Sequence, residues 1–421
     1  MDSRKKEWIK NRSKKLSEAD YFLTHRLDAY ALIEELDSPK IERLNYESWN
    51  LFDASIDEER NTIDSSLKEM KDSLNVDYIQ KSSGKTERLR EEEGIVVASF
   101  EELLKSKDER FKNLYEQSNF LQIKDRFAAF NLAFLTTGTF IYIPKGVQLT
   151  EAFHLAFLNE KNQRETKNHQ VYIYAEENSS VELIESYHSL GNSKESTKLN
   201  VHLHIETKNG ANLKYTAIDE LDENTQSFFR RTGKTGKDST LNIALGAMNN
   251  GNTIEDLQID LVGAGSSADI KAVGISRKKE EQIINTKIIN HGAHTVGNIY
   301  QHGVVLDQAR LSFNSVGDVW KNAKFSDAQQ ESRILILSKD ARADTNPILL
   351  IDEYELTAGH AASVSRVDEK ELYYLMSRGL ERKEAEKLVI RGFLGSVLTA
   401  ISVKDLREHL IETIERKLEL L

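Results

Sequence analysis

From about residue 136 the hydrophobic period of the chain drops from roughly 3.6 to 2, and it stays there for about 200 residues. Short apolar alternations recur at Ile141 and Ile143, at Val171 and Ile173, at Val201, Leu203 and Ile205, at Leu241, Ile243 and Leu245, and at Leu257, Ile259 and Leu261. Between them one pattern returns: a polar or glycine turn, a small residue, then a new strand. It is read at 178–181 (NSSV), 209–213 (NGANL), 238–241 (DSTL), 265–270 (GSSADI), 307–311 (DQARL) and 339–342 (KDAR), with one wider gap that leaves room for a further rung around 290–294. A repeat of roughly 28 to 32 residues with no helix between the strands suits the coils of a parallel β-helix; the hairpins of a sandwich would recur about every 8 to 12 residues. A large antiparallel sheet is the alternative. Each coil would turn an apolar row inward and carry polar groups outward, with small residues fitting the corners.

The flanks read differently. Up to residue 125 apolar residues such as Ile33, Leu36, Leu103, Leu104 and Phe111 follow helical spacing, with Pro39 as punctuation. Residues 53–93 are so rich in charge and serine that a long solvated helix and a loop are both compatible with them. Residues 126–366 form the predicted β-helix core. In 367–421 the helical period returns. Asp368 with Glu371 resembles a capping box, and Gly379 stands where a glycine would end that helix. A second helix carries Ala385, Leu388, Val389, Gly392, Phe393 and Val397 on one stripe. Ser402 with Asp405 opens a third, with Leu406, Leu410, Ile414 and Leu418. These helices could cap the open edge of the solenoid or present a docking face.

Composition removes several functions. The chain of 421 residues has 57 Lys plus Arg against 68 Asp plus Glu, a net charge of −11, which argues against a nucleic-acid binder or a polybasic membrane anchor. The longest apolar run, 127–135, is too short to span a bilayer, and no apolar run follows the basic first 15 residues, so a cytoplasmic protein is expected. There is no cysteine, hence no disulfide, no thiolate ligand and no cysteine nucleophile; any metal must be held by histidine or carboxylate. The segment 232–237 (TGKTGK) looks like a phosphate loop but lacks the earlier glycine that a Walker sequence requires, so the chain is not expected to bind ATP itself. Dinucleotide, G-x-S-x-G and H-E-x-x-H signatures are also missing.

His202 and His204 share one side of a strand, but Val201, Leu203 and Ile205 claim the inward side, so both imidazoles are expected to face solvent or a neighbouring coil. His291, His294 and His302 lie close in sequence without a carboxylate spacing that completes a familiar site. His360 sits in a run of small residues, 357–363 (TAGHAAS), between the last strands and the terminal helices. Such neighbours leave the ring accessible; imidazole is a good ligand for iron or zinc, and Glu353 and Glu355 stand upstream to assist it. On local sequence alone a turn histidine with no special role is the simpler reading.

The block 344–368 (DTNPILLIDEYELTAGHAASVSRVD), with 372–379 (LYYLMSRG), closely resembles the signature of the SufB/SufD family of iron–sulfur cluster assembly proteins, and 127–134 (FAAFNLAF) and 138–146 (GTFIYIPKG) extend the likeness from about residue 110 to the end. A cysteine-free chain looks like the SufD half of that family, because SufB carries the cysteines on which a nascent cluster is built. The resemblance implies a mainly β protein, a right-handed parallel β-helix core with N-terminal and C-terminal α-helical domains, acting as a scaffold and not as an enzyme. It implies pairing with SufB through the end of the helix and binding of the SufC ATPase through the C-terminal helical domain, where Leu388, Val389 and Phe393 are candidate contacts. It gives His360 the role of iron or cluster ligand, or proton donor, at the SufB interface. No cofactor would be stably bound; iron or a cluster would be shared transiently with SufB, and ATP would act only through SufC. The chain departs from many relatives at Ala358, where a cysteine is common, and at Ala361, where glycine is expected, so further ligands would have to come from another polypeptide. The rival readings are a carbohydrate-active β-helix enzyme and a purely structural β-helix homodimer.

Overall fold

The computed structural model describes residues 3–41, 44–54, 76–88, 94–160, 166–190, 196–399, 401 and 403–418. The period-2 stretch folds as two sheets that share the chain alternately. One contains β1 (Tyr78–Lys81), β2 (Thr86–Arg88), β5 (Phe153–Glu160), β7 (Ser180–Leu190), β9 (Asn212–Glu220), β11 (Thr240–Ala247), β13 (Ser267–Ser276), β15 (Val296–Val305), β17 (Ser326–Ile336) and β19 (Leu356–Arg366). The other contains β3 (Val96–Ser99), β4 (Thr137–Ile143), β6 (Thr166–Ala175), β8 (Thr197–Thr207), β10 (Thr225–Thr235), β12 (Thr253–Leu261), β14 (Glu281–Asn290), β16 (Arg310–Val319) and β18 (Arg342–Ile351). From β4 onward each strand pairs in parallel with the strand two further along, so two strands make one coil, and the solenoid has about seven turns.

The corners explain the repeat. At one of them a residue in the left-handed region recurs at positions 178, 210, 238, 265, 294 and 325, intervals of 32, 28, 27, 29 and 31 residues. Asn, Gly, Asp and His occupy five of the six, the types that tolerate this conformation. A small buried residue follows it, among them Ser179, Ala211, Ser239, Ser266, Thr295 and Ser326, because successive coils approach too closely there for a larger side chain. Gly263 marks the tightest point: a Cβ at this position would collide with the backbone of Gly236 in the coil before. The rung expected around 290–294 is present, as β14, the corner at His294 and β15. Between the sheets the alternating apolar residues, such as Leu203, Leu257, Ile284 and Phe313 facing Leu183, Ile243, Ile270 and Ile299, form one continuous core. The phosphate-loop lookalike lies in β10 and the turn after it, with Gly233 inside the parallel ladder and no helix following.

Among the described residues five helices cover the outer face of the even-numbered sheet: α1 (Ser3–Leu16), α2 (Asp20–Leu32), α3 (Phe100–Ser106), α4 (Glu109–Gln117) and α5 (Arg126–Ala133). Phe22, Phe111 and Tyr115 pack there on Phe140 and Tyr172. The region expected to be helical up to 125 also supplies β1, β2 and β3, so the sheets begin before that boundary. These strands have only three or four residues each and sit among charges, too short to show a period. Residues 55–75 and 89–93, part of the stretch left open between helix and loop, lie outside the described residues.

The chain ends in α6 (Glu369–Ser377), α7 (Arg382–Leu398) and α8 (Lys404–Leu418). They do not cap the end of the solenoid. Ile390, Leu394, Leu406, Leu410 and Ile414 pack instead on Ile218, Val273, Ile275 and Val304, the outer face of the odd-numbered sheet. Asp368 caps α6 through the Lys370 N–H at 2.8 Å, so the bond is one residue short of the expected capping box, and Gly379 takes the expected positive φ of 97°. Ser402 and the side chain of Val397 lie outside the described residues. No described helix is long and apolar enough to cross a membrane.

Candidate functional site at the open end of the solenoid

Register decides where His360 points. In β17 the residues Ala328, Gln330, Ser332 and Ile334 are buried in the inward row, and β19 pairs with it so that Ala358, His360, Ala362 and Val364 continue that row. The column that ends at His360 runs through Leu183, Tyr215, Ile243, Ile270, Ile299 and Gln330, one residue per coil. Five apolar or aromatic residues in the bore thus give way to an amide and then to an imidazole. On the facing side Ala343, Thr345, Pro347, Leu349 and Ile351 of β18 continue the buried row Leu311, Phe313, Ser315, Gly317 and Val319.

Nothing described covers this last coil. His360 is exposed, Ile351 and Val364 are 46% and 41% exposed, and Tyr354 at the corner is 98% exposed. Just beneath, polar groups enter the bore: the Gln330 amide donates to the Ile348 carbonyl at 2.9 Å and accepts from Ser315 Oγ at 2.7 Å, and Ser332 donates to Gln301 at 2.9 Å. The two carboxylates expected to assist His360 serve the corner instead. Glu353 accepts the backbone N–H groups of Tyr354 at 2.8 Å and Asn322 at 2.9 Å, bonds that hold its carboxyl below the usual range, and Glu355 pairs with Lys324 at 2.8 Å. Among the described residues no three His, Asp or Glu side chains gather as a metal site, so His360 offers a single nitrogen donor.

The other histidines singled out in the sequence are structural in placement and scattered. His202 and His204 do point away from the bore, as their strand phase implies, but the N-terminal region buries them: His204 lies beside Phe120 and Tyr172 with Nδ1 2.9 Å from Thr232 Oγ1, and His202 lies beside Phe228. Burial pushes the His204 imidazole down to about 4 and lowers His202 also. His291 pairs with Asp260 at 3.0 Å beside Trp320, and His294 stacks on Phe325. His302 bridges the Phe393 carbonyl at 3.0 Å and Glu331 at 2.9 Å. The three do not converge.

The helical candidates separate along α7. Leu388 is 49% exposed and Val389 half-buried, whereas the Phe393 ring stacks on His302 with centroids 5.0 Å apart, so Phe393 fastens the helix to the solenoid. Two charged groups were missed by sequence reasoning. One lies inside the bore, where Arg231 donates to Asp219 at 2.7 Å and to Glu255, beside Glu185. The other joins α8 to the sheet, where Glu220 accepts from His409 Nε2 at 2.9 Å and Thr413 Oγ1 at 2.6 Å. The signal for the first was available: Arg231 stands two residues after Phe229, in the inward phase of β10.

The site thus belongs to a parallel solenoid with helices laid on both outer faces, whose bare final coil carries His360 in its inward row. Residues 157–393 match the SufBD core domain of the SUF system for FeS cluster assembly, and residues 64–155 match the SufBD protein N-terminal region. The chain belongs to the SufBD family, and its role lies in iron–sulfur cluster assembly. It is 35% identical to the iron-sulfur cluster assembly protein SufD of Bacillus subtilis, over 98% of each chain. It is 25% identical to iron-sulfur cluster assembly SufBD family proteins of Staphylococcus haemolyticus and Staphylococcus aureus, over 73% of this chain and 66% of theirs.

Proposed function

We propose that this chain is a non-catalytic scaffold subunit of the SufD kind, working in the cytoplasm, that stacks its bare end on SufB and holds the SufC ATPase on its C-terminal helices. The observation that carries this reading is the final coil: an exposed inward row with His360 in it. A coil from another chain laid on β18 and β19 would continue both ladders, satisfy their outer backbone groups and enclose the imidazole. The cargo, iron or a nascent cluster, would then meet one nitrogen from this chain. Its sulfur ligands would belong to the partner or to an incoming persulfide, since this chain has no cysteine. In the unpaired chain the same coil would favour a second copy of itself. ATP would act only through SufC, whose movement would reach the seam through α7, fastened to β13 and β15 by Ile390, Leu394 and Phe393.

The test is purification of the tagged chain from its native host with partners identified by mass. Recovery with SufB and SufC supports the proposal, and recovery only of further copies of itself refutes it. In a reconstituted complex His360→Ala should leave assembly intact and lower the yield of cluster. An unchanged yield would remove the residue from the mechanism.

A further inference from the structure

Where the odd-numbered strands end, the solenoid and α8 enclose a groove of about 510 Å³. His188 of β7, Asn250 after β11 and Arg277 after β13 line the solenoid wall; Arg416 and Lys417 line the helix wall. Most of the charge here is matched. Glu220 is held by His409, Thr413 and, at 3.8 Å, Arg416. Lys417 pairs with Glu280 at 3.5 Å and donates to the Asn249 carbonyl at 2.6 Å and the Ile275 carbonyl at 3.2 Å.

Three lining residues are different. Among the described residues nothing pairs by hydrogen bond with the buried Nε and Nη1 of Arg277, Nε2 of His188 or Oδ1 of Asn250. The ion pair of Arg277 with Glu280 spans 4.0 Å, too long for a hydrogen bond. Buried polar atoms are nearly always paired, so a group of orphans around one groove points to something the described residues do not supply. Their chemistry is specific. Arg277 presents N–H donors on a permanent cation. His188, whose Nδ1 faces Glu220 at 3.5 Å, leaves Nε2 as an acceptor in its neutral form, and the Asn250 oxygen is a second acceptor. An occupant that satisfies all of them carries a negative oxygen for Arg277 and a hydroxyl for the acceptors, with Arg416 and Lys417 adding positive charge from the helix.

We propose that this groove binds a small hydroxylated oxyanion, a hydroxycarboxylate or a phosphate ester, which clasps α8 to the solenoid by touching both walls. The site is separate from the bare end and independent of the pairing proposed above. Which source supplies the oxyanion is read by two probes, citrate and glycerol 3-phosphate, titrated calorimetrically into the purified full-length chain in a buffer free of phosphate and carboxylate. At least one should bind and slow amide hydrogen exchange along α8, while chloride at matched ionic strength should do neither. Arg277→Gln should weaken the binding by about tenfold or more, as expected for loss of a charge-assisted hydrogen bond. Arg416→Gln changes an exposed side chain and keeps the fold, and should weaken binding by a smaller factor. Binding of neither probe above the chloride control, or equal binding by wild type and both variants, would overturn the proposal.

Discussion

Arg231 is the bulkiest of the fully buried side chains among the described residues, and it lies in the bore of the solenoid between Asp219 and Glu255, with its guanidinium over the Phe229 ring at 4.6 Å. Glu185 joins the cluster, accepting from Tyr187 at 2.8 Å and from Tyr215. Burial raises the carboxyls of Asp219, Glu255 and Glu185, and the guanidinium opposes that rise in each case. Removing the cation while keeping the acids leaves buried carboxyls facing each other. Arg231→Met should therefore cost roughly 3 to 5 kcal/mol, the usual penalty for breaking a buried ion pair from one side. Urea unfolding should show a lower midpoint with an unchanged slope; a midpoint within error of wild type would show that the carboxyls simply take up protons without strain. At this scale the sequence was half legible. Residues 357–363 announced an accessible histidine, but whether His360 faced the bore or the outside depends on register with β17, and a strand read alone carries no register.

Among the elements, α8 was the easiest to read and α7 the hardest. In α8 the apolar residues fall at 406, 410, 414 and 418 with polar neighbours, and all four are buried. In α7 apolar residues occur nearly all round, interrupted by Gly392 and Gly395, so the stripe through Leu388 competed with the one that packs, Ile390 and Leu394. The docking of α8 also has a charge component. Burial alone would raise the Glu220 carboxyl, but bonds from His409 and Thr413, with the nearby His188, hold it at about 2 instead of 4.5. That difference corresponds to roughly 3 kcal/mol, fully present above pH 4.5 and lost as pH falls toward 2. His409 is raised above 6.5 by its bond to Glu220, so its share is full below 6.5 and lost as pH rises through the raised value. His188, kept neutral by burial, adds to the loss on the acid side below 6.5. Hydrogen exchange along α8 as a function of pH should show protection declining on both sides of this range. Glu220→Gln should flatten the alkaline limb and most of the acid one, because the rise of His409 depends on that carboxylate, whereas His409→Gln should remove the alkaline limb; curves identical to wild type would exclude the pair as the clasp.

The whole molecule is a stack, and its period was visible because each coil needs the same turn chemistry. What stayed hidden was where the terminal helices lie. An amphipathic stripe says that a face is covered but not which surface covers it, and both the end of the solenoid and the outside of the odd-numbered sheet could have done so. The sheet won because its outer face offers Ile218, Val273, Ile275 and Val304 in a row, with Gly246 letting Leu410 approach within 3.2 Å of where a side chain would begin. The end was thereby left open. Ala362 is exposed in the inward row of β19, so Ala362→Lys should leave the fold intact while placing a charge in any seam built on that coil. In sedimentation velocity the purified wild-type chain should associate with rising concentration, and the variant should do so at least about tenfold more weakly. Equal association would place the contact elsewhere.

A solenoid coil is stabilised only by the coils beside it. The coil bearing His360 has one such neighbour, so thermal fraying starts there, and the imidazole rides on the rung that loosens first. A solitary molecule would hold the donor loosely, and under the pairing proposed above a docked coil would both hide it from water and fix its aim.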